Sequence, residues 1–158
     1  MRHKKAEKRI VEADSIYNNR LVAKFINKLM KEGKKTVAQK VLYHAFSLIE
    51  EIHHEDPLII FEKAIQTVSP KQEVKARRVG GASYQVPIEV RGERKISLAI
   101  RWLITAAKAR PSKEYHTFSE KLALEFLDAS QNKGDAVKKR DTMQRMAEAN
   151  RAFSHFRF

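Results

Sequence analysis

Cysteine is absent from the 158 residues. That excludes a disulfide scaffold and any zinc site built on thiolates, and it suits a reducing, cytoplasmic setting. No stretch of about 18 consecutive apolar residues occurs, so no segment is expected to span a bilayer. The amino terminus is basic but lacks the apolar core of a signal peptide. Glycine and proline are few, five and four, and tryptophan occurs once. Acidic side chains are the scarcity with most consequence: 19 Asp and Glu face 32 Lys and Arg, a net charge of +13. Such a surplus repels itself in a folded state and persists where a polyanion neutralises it. DNA, RNA and an anionic membrane surface all qualify at this point.

What is present reads as one mostly α domain. A chain of this length buries about two-thirds of its unfolded surface, enough for a core without covalent staples. Residues 1–19 are basic and poor in apolar side chains, and are expected to be an extended tail. From residue 20 to 158 the pattern becomes helical. Leu21, Val22, Phe25, Ile26 and Leu29 share a face, and Gly33 reads as the C-cap of that helix. Val37, Val41, Leu42, Ala45, Leu48, Ile49 and Ile52 form the stripe of a second. Asp56-Pro57 opens a third, Asp as N-cap and Pro at the first helical position. It continues through Phe61, Ala64, Ile65 and Val68 until Pro70 stops it. Ile96, Ala99, Ile100, Leu103, Ala106 and Ala107 mark a fourth helix, ended by Pro111. Thr117-Phe118-Ser119-Glu120 is a capping box for a fifth. Asn132-Lys133-Gly134 is a turn, and Asp135 reads as the cap of a basic sixth helix over 135–152.

Residues 73–91 break the helical period. Two extended stretches flank Gly80-Gly81-Ala82-Ser83, which predicts a β-hairpin. On a ribbon, Lys75, Arg77 and Val79 share a face with Tyr84, Val86 and Ile88. Val74, Ala76 and Arg78 share the other with Gln85, Pro87 and Glu89. Neither face is cleanly apolar, and Pro87 restricts its strand to an edge. The hairpin is therefore expected to protrude as an arm. The fold class is a bundle of about six helices with one protruding β-hairpin.

The basic residues gather in clusters. They are Arg2, Lys4, Lys5, Lys8 and Arg9 in the tail; Lys34 and Lys35 at the first turn; Lys75, Arg77 and Arg78 in the hairpin; Arg94 and Lys95; and Lys138, Lys139 and Arg140. Glu50, Glu51, Glu55 and Asp56 collect elsewhere. Clustering of this kind is a nucleic-acid footprint rather than a uniform solubilising surface. Alternate side chains on the hairpin lie about 6.6 Å apart, near the spacing of phosphates along a strand. Trp102 is expected in the core. Phe153 and Phe156 either staple the carboxy terminus back or meet a partner, and partner contact is the expected role.

Catalytic patterns are missing. His53-His54-Glu55-Asp56 places neighbouring side chains about 100° apart on a helix, not on one metal-binding face. There is no phosphate-binding loop and no linked Ser, His and Asp. No cofactor, metal or enzymatic activity is expected.

Several segments resemble small-subunit ribosomal protein seven. They are Leu21 to Met30; Gly33-Lys34-Lys35; Val74 to Val90 across the hairpin; Ala99 to Trp102; Asn132 to Arg140; and Met146 to Arg157. The resemblance runs over nearly the whole chain in order, and the length implies a bacterial or organellar member. It implies binding to the three-prime major domain of small-subunit rRNA, nucleation of head assembly, and a place beside neighbouring small-subunit proteins, the exit-site tRNA and the mRNA path. It also implies RNA contact by the basic residues named above. A basic architectural DNA-binding protein is the alternative.

Overall fold

The computed structural model describes residues 10–156. The helices are α1 (Arg20–Leu29), α2 (Lys35–His53), α3 (Pro57–Val68), α4 (Gly92–Ala109), α5 (Phe118–Ser130) and α6 (Asp135–Ala149), with a final 3-10 turn over Arg151–Phe156. Between α3 and α4 lies the antiparallel pair β1 (Gln72–Val79) and β2 (Ala82–Glu89). The expected class, a mostly helical bundle carrying one hairpin, is the observed one.

Local chemistry sets the boundaries. The Asn19 side chain accepts from the Leu21 N–H at 2.7 Å and starts α1. Asp56 accepts from the Leu58 N–H at 2.8 Å and Pro57 begins α3, as read from the sequence. Thr117 and Glu120 close the capping box of α5 reciprocally. Two caps differ from expectation. Helix α1 stops at Met30, and Gly33 sits beyond it at φ +74° inside the connecting turn. Helix α6 is capped by Gly134 rather than Asp135, because a carboxylate from another helix, Glu125 Oε1, accepts from the Ala136 N–H at 3.1 Å.

Helix α5 lies against α2, α3 and α4 at the centre of the bundle. Its Phe126 meets Phe25 and Phe61 with ring centroids 5.4 Å apart in each case, and Phe46 at 6.2 Å. The four rings come from α1, α2, α3 and α5 and are fully buried. Edge-on aromatic pairs of this kind add about 0.5–1.5 kcal/mol each beyond their area. Trp102 is buried in the same core.

The stripe of α2 is rotated one position from the expected one. Ala38, Leu42, Ala45, Phe46 and Ile49 are buried, while Val37 and Ile52 are 55% and 57% exposed. Two adjacent apolar rows run along this helix, and the phenylalanine packing selects the row that contains Phe46. Residues 14–19 are also more ordered than an extended tail. Asp14 accepts from the N–H groups of Ile16 and Tyr17 and from the Tyr43 hydroxyl at 2.7 Å, and the Tyr17 ring packs edge-on to Phe46.

A buried polar knot joins α4, α5 and α6. Glu125 is 1% exposed, and its Oε2 accepts from Arg110 Nε at 2.9 Å and Nη2 at 2.6 Å. Arg110 also pairs with Asp128. Lys121 Nζ donates to the Arg110 carbonyl and to Ser112 Oγ, both at 2.8 Å. Burial lowers the Arg110 pKa, but hydrogen bonds to Asp128 and Glu125 raise it above its ordinary value overall. A buried charge without such partners would cost several kcal/mol.

Candidate nucleic-acid interface

The hairpin register pairs Arg77 with Tyr84, Lys75 with Val86 and Val74 with Pro87, so each face holds the residues the sequence assigned to it. Its turn is tighter than the expected four residues. Gly80 and Gly81 take φ +57° and +91° and reverse the chain by themselves, a conformation that side chains with a Cβ resist. The base of the arm is more deeply seated than its mixed faces suggested. Val86, Pro87 and Val90 are buried, and α6 packs against both strands.

Glu73 anchors that base. Arg94, in the first turn of α4, clamps its carboxylate with both fork nitrogens at 2.7 and 2.6 Å, and Lys75 Nζ lies 3.5 Å away. The hydrogen bond from Arg94 holds the Glu73 carboxyl below its ordinary range, against the opposing effect of burial. Arg94 nevertheless keeps a side chain that is 56% exposed. Arg91, the residue before α4, reaches Glu89 at 2.7 Å. Lys95 shares a cleft with Lys71 beside the hairpin base. The bridges through Glu73 put Lys75 and Arg94 at one junction, and Lys95 lies next to Arg94 in the chain, in the cleft at the hairpin base.

That junction continues onto α1, which the sequence reading overlooked. Arg20, Lys24 and Lys28 line a groove with Ile96, Ser97 and Ile100 of α4, and Lys24 Nζ reaches Glu93 Oε1 at 3.0 Å. A stride of four residues places these three cations on one helical face. That stride is the signal the sequence holds, dispersed among the apolar positions of α1 rather than gathered in a cluster.

The other assigned residues lie apart or face inward. Lys34 lines a second groove with Lys31, Lys108, Val37 and Phe118, and pairs with Glu32 at 3.0 Å; Lys35 opens α2 beside it. Lys138 and Lys139 are exposed on α6, with Asp135 raising the Lys138 pKa by its hydrogen bond at 2.8 Å. Arg140 is turned into the protein. Its side chain is 18% exposed, and it donates to the Thr67 carbonyl at 2.6 Å and to Asn132 Oδ1 at 3.0 Å. Arg77 and Arg78 make no ion pair among the described residues. Arg2, Lys4, Lys5, Lys8 and Arg9 lie outside the described residues. Phe153 and Phe156 are half-buried against Tyr84 of the arm, each 5.2 Å from its ring centroid. The acidic residues form a separate pocket in which Glu50 and Asp56 surround Tyr17. Burial, then Glu50 and Asp14, raise that tyrosine's pKa. No helix among the described residues is long and apolar enough to cross a membrane.

A tract of basic side chains, bridged by Glu73 and Glu93, thus runs from the arm over the start of α4 to α1, with further basic residues on α6 and the α1–α2 turn. Known proteins share the whole chain. Residues 1–151 match the family described as "Ribosomal protein S7p/S5e". The small ribosomal subunit protein uS7 of Syntrophus aciditrophicus is 52% identical over 157 residues, covering 99% of both chains. That of Myxococcus xanthus is 53% identical over the same length, and that of Mycoplasma mycoides is 51% identical over 158 residues, all of both chains. With the family match over nearly its full length, identity above half, and the helical bundle with its basic arm, this chain belongs to the ribosomal protein S7p/S5e family of structural ribosomal proteins.

Proposed function

We propose that this small-subunit ribosomal protein binds the three-prime major domain of small-subunit rRNA directly, nucleates assembly of the subunit head, and lies beside the exit-site tRNA and the mRNA path. The cationic tract carries this reading. Lys75, Arg77, Arg78, Arg94, Lys95, Arg20, Lys24 and Lys28 are drawn from three elements that Glu73 and Glu93 tie together. Such a tract crosses several phosphate strands, as a folded RNA presents them, rather than following one groove of a duplex. Lys34, Lys35, Lys138, Lys139 and the tail from Arg2 to Arg9 extend it. Arg140 is omitted from the contacts, since its donors already have acceptors inside the chain.

Binding to a transcript of the rRNA domain, measured against salt, tests the reading. About eight phosphate contacts give a slope of log affinity on log salt near −6 to −7. Arg77→Ala with Arg78→Ala lowers affinity by about 1–3 kcal/mol and leaves helical content unchanged. A flat salt response refutes the polyanion reading. Duplex DNA that competes as well as the rRNA domain would favour the architectural DNA-binding alternative.

A further inference from the structure

We infer that the carboxy-terminal 3-10 turn is a clasp that positions the arm, with Tyr84, Phe153 and Phe156 as positioning residues for Arg77 and Arg78. The inference rests on the proposed role of the arm in RNA binding. A two-stranded ribbon is marginal by itself. In this chain its base is secured by Val86, Pro87, Val90 and the Glu73–Arg94 pair, but those contacts end two residue pairs short of Arg77. Beyond them, Ala76, Arg78, Ser83 and Gln85 are exposed, whereas Arg77, Val79 and Tyr84 are half-buried. These three belong to one face, and the final turn packs on β2, where both its phenylalanine rings meet Tyr84 of that face.

The sequence explains why this segment suits the task. A 3-10 helix has three residues per turn, so residues three apart are eclipsed. Phe153 and Phe156 therefore project together, their planes inclined by only 15° and their centroids 6.5 Å apart. Both reach Tyr84 at 5.2 Å, and His155 backs Phe156 at 4.0 Å. None of the turn's residues is buried in the bundle core, and its main packing is against β2 and α6. A segment that adds nothing to the core but grips the outer half of the arm acts on the arm. Tyr84 stands directly across from Arg77, so holding its ring fixes the backbone that presents both arginines. Pre-ordering these side chains removes an ordering cost that binding would otherwise carry.

Two measurements on the full chain test this. In a Phe153→Ala, Phe156→Ala variant, amide exchange of the outer arm, residues 76–85, should rise about tenfold, the scale set by two lost aromatic contacts, while α2 and α5 keep their protection. Affinity for the rRNA domain transcript should fall about tenfold. The fall should vanish when Arg77→Ala and Arg78→Ala are already present, because positioning without the positioned groups has no effect. Tyr84→Ala should reproduce both changes and Tyr84→Phe neither. Unchanged exchange overturns the clasp while leaving the RNA reading intact. Faster exchange with unchanged affinity overturns the positioning role. An affinity loss that persists without the arginines shows direct contact with RNA and also overturns it. A wild-type chain that fails to bind rRNA defeats the proposed function instead, and the exchange data still decide whether the clasp exists.

Discussion

Arg140 separates a structural guanidinium from an RNA-binding one, and Arg140→Ala measures the difference. The side chain ties together three places: the end of α3 through the Thr67 carbonyl at 2.6 Å, the α5–α6 turn through Asn132 Oδ1 at 3.0 Å, and α6 through Asp141 at 2.6 Å. The Asp141 pair is local and 45% exposed on the acidic side, so it contributes little. The other two are charge-assisted bonds, each contributing about 1.5–3 kcal/mol before water replaces part of the loss. Since water reaches the vacated site, the net cost should be about 2–3 kcal/mol, which lowers the melting temperature by roughly 4–12 °C in a chain of this size. The salt slope for rRNA binding should stay where it is. An arginine on a phosphate would behave in the opposite way, with an unchanged melting temperature and a slope shallower by about 0.7–0.9. That pair of results would refute the inward assignment. Arg140→Lys keeps the charge without the planar fork and should fall between wild type and alanine.

Gly134→Ala should destabilise by about 1–3 kcal/mol in thermal melting, because Gly134 holds φ +90° and an added Cβ would lie 3.0 Å from the buried Glu125 Oε1. Glu73→Gln should loosen the arm base at neutral pH, read as faster amide exchange in β1. The Glu73 carboxyl has a folded pKa below its unfolded value of about 4.3, so its contribution is complete above that value and is lost as pH falls through the lower one. The difference between wild type and Glu73→Gln should therefore close in acid, and a difference that widens in acid would contradict the pairing.

Where local chemistry decides structure, the sequence was legible. Asp56-Pro57, the Thr117–Glu120 box and the glycine pair each announce a backbone event within four residues, and the hairpin faces followed from simple alternation. Where tertiary packing decides, it was not. The choice between the two rows of α2 depends on rings from α1, α3 and α5, and nothing within α2 favours Phe46 over Val37. The candidate site divides similarly. Of the hairpin arginines, Arg78 is exposed and Arg77 is half-buried. Lys138-Lys139-Arg140 reads as one basic run, yet successive helical side chains point about 100° apart, so the third turns inward while the first two stay exposed. The role of Glu73 was invisible because its partner Arg94 is 21 residues away.

The phenylalanine cluster has a consequence for how the chain is made. Phe25, Phe46 and Phe61 emerge early in synthesis, but the ring that touches all three, Phe126, follows roughly 65 residues after Phe61. At about 5–20 residues per second, the first three helices wait roughly 3–13 s for the element that completes their core. During that interval the face that α5 covers is open, and the arm has emerged without α6 and the final turn, which pack against its strands. A two-stranded ribbon is marginal by itself, so a nascent chain stalled between residues 92 and 117 should lack both a protected core and a protected outer arm, and the arm should gain its protection only when residues 135–156 have emerged.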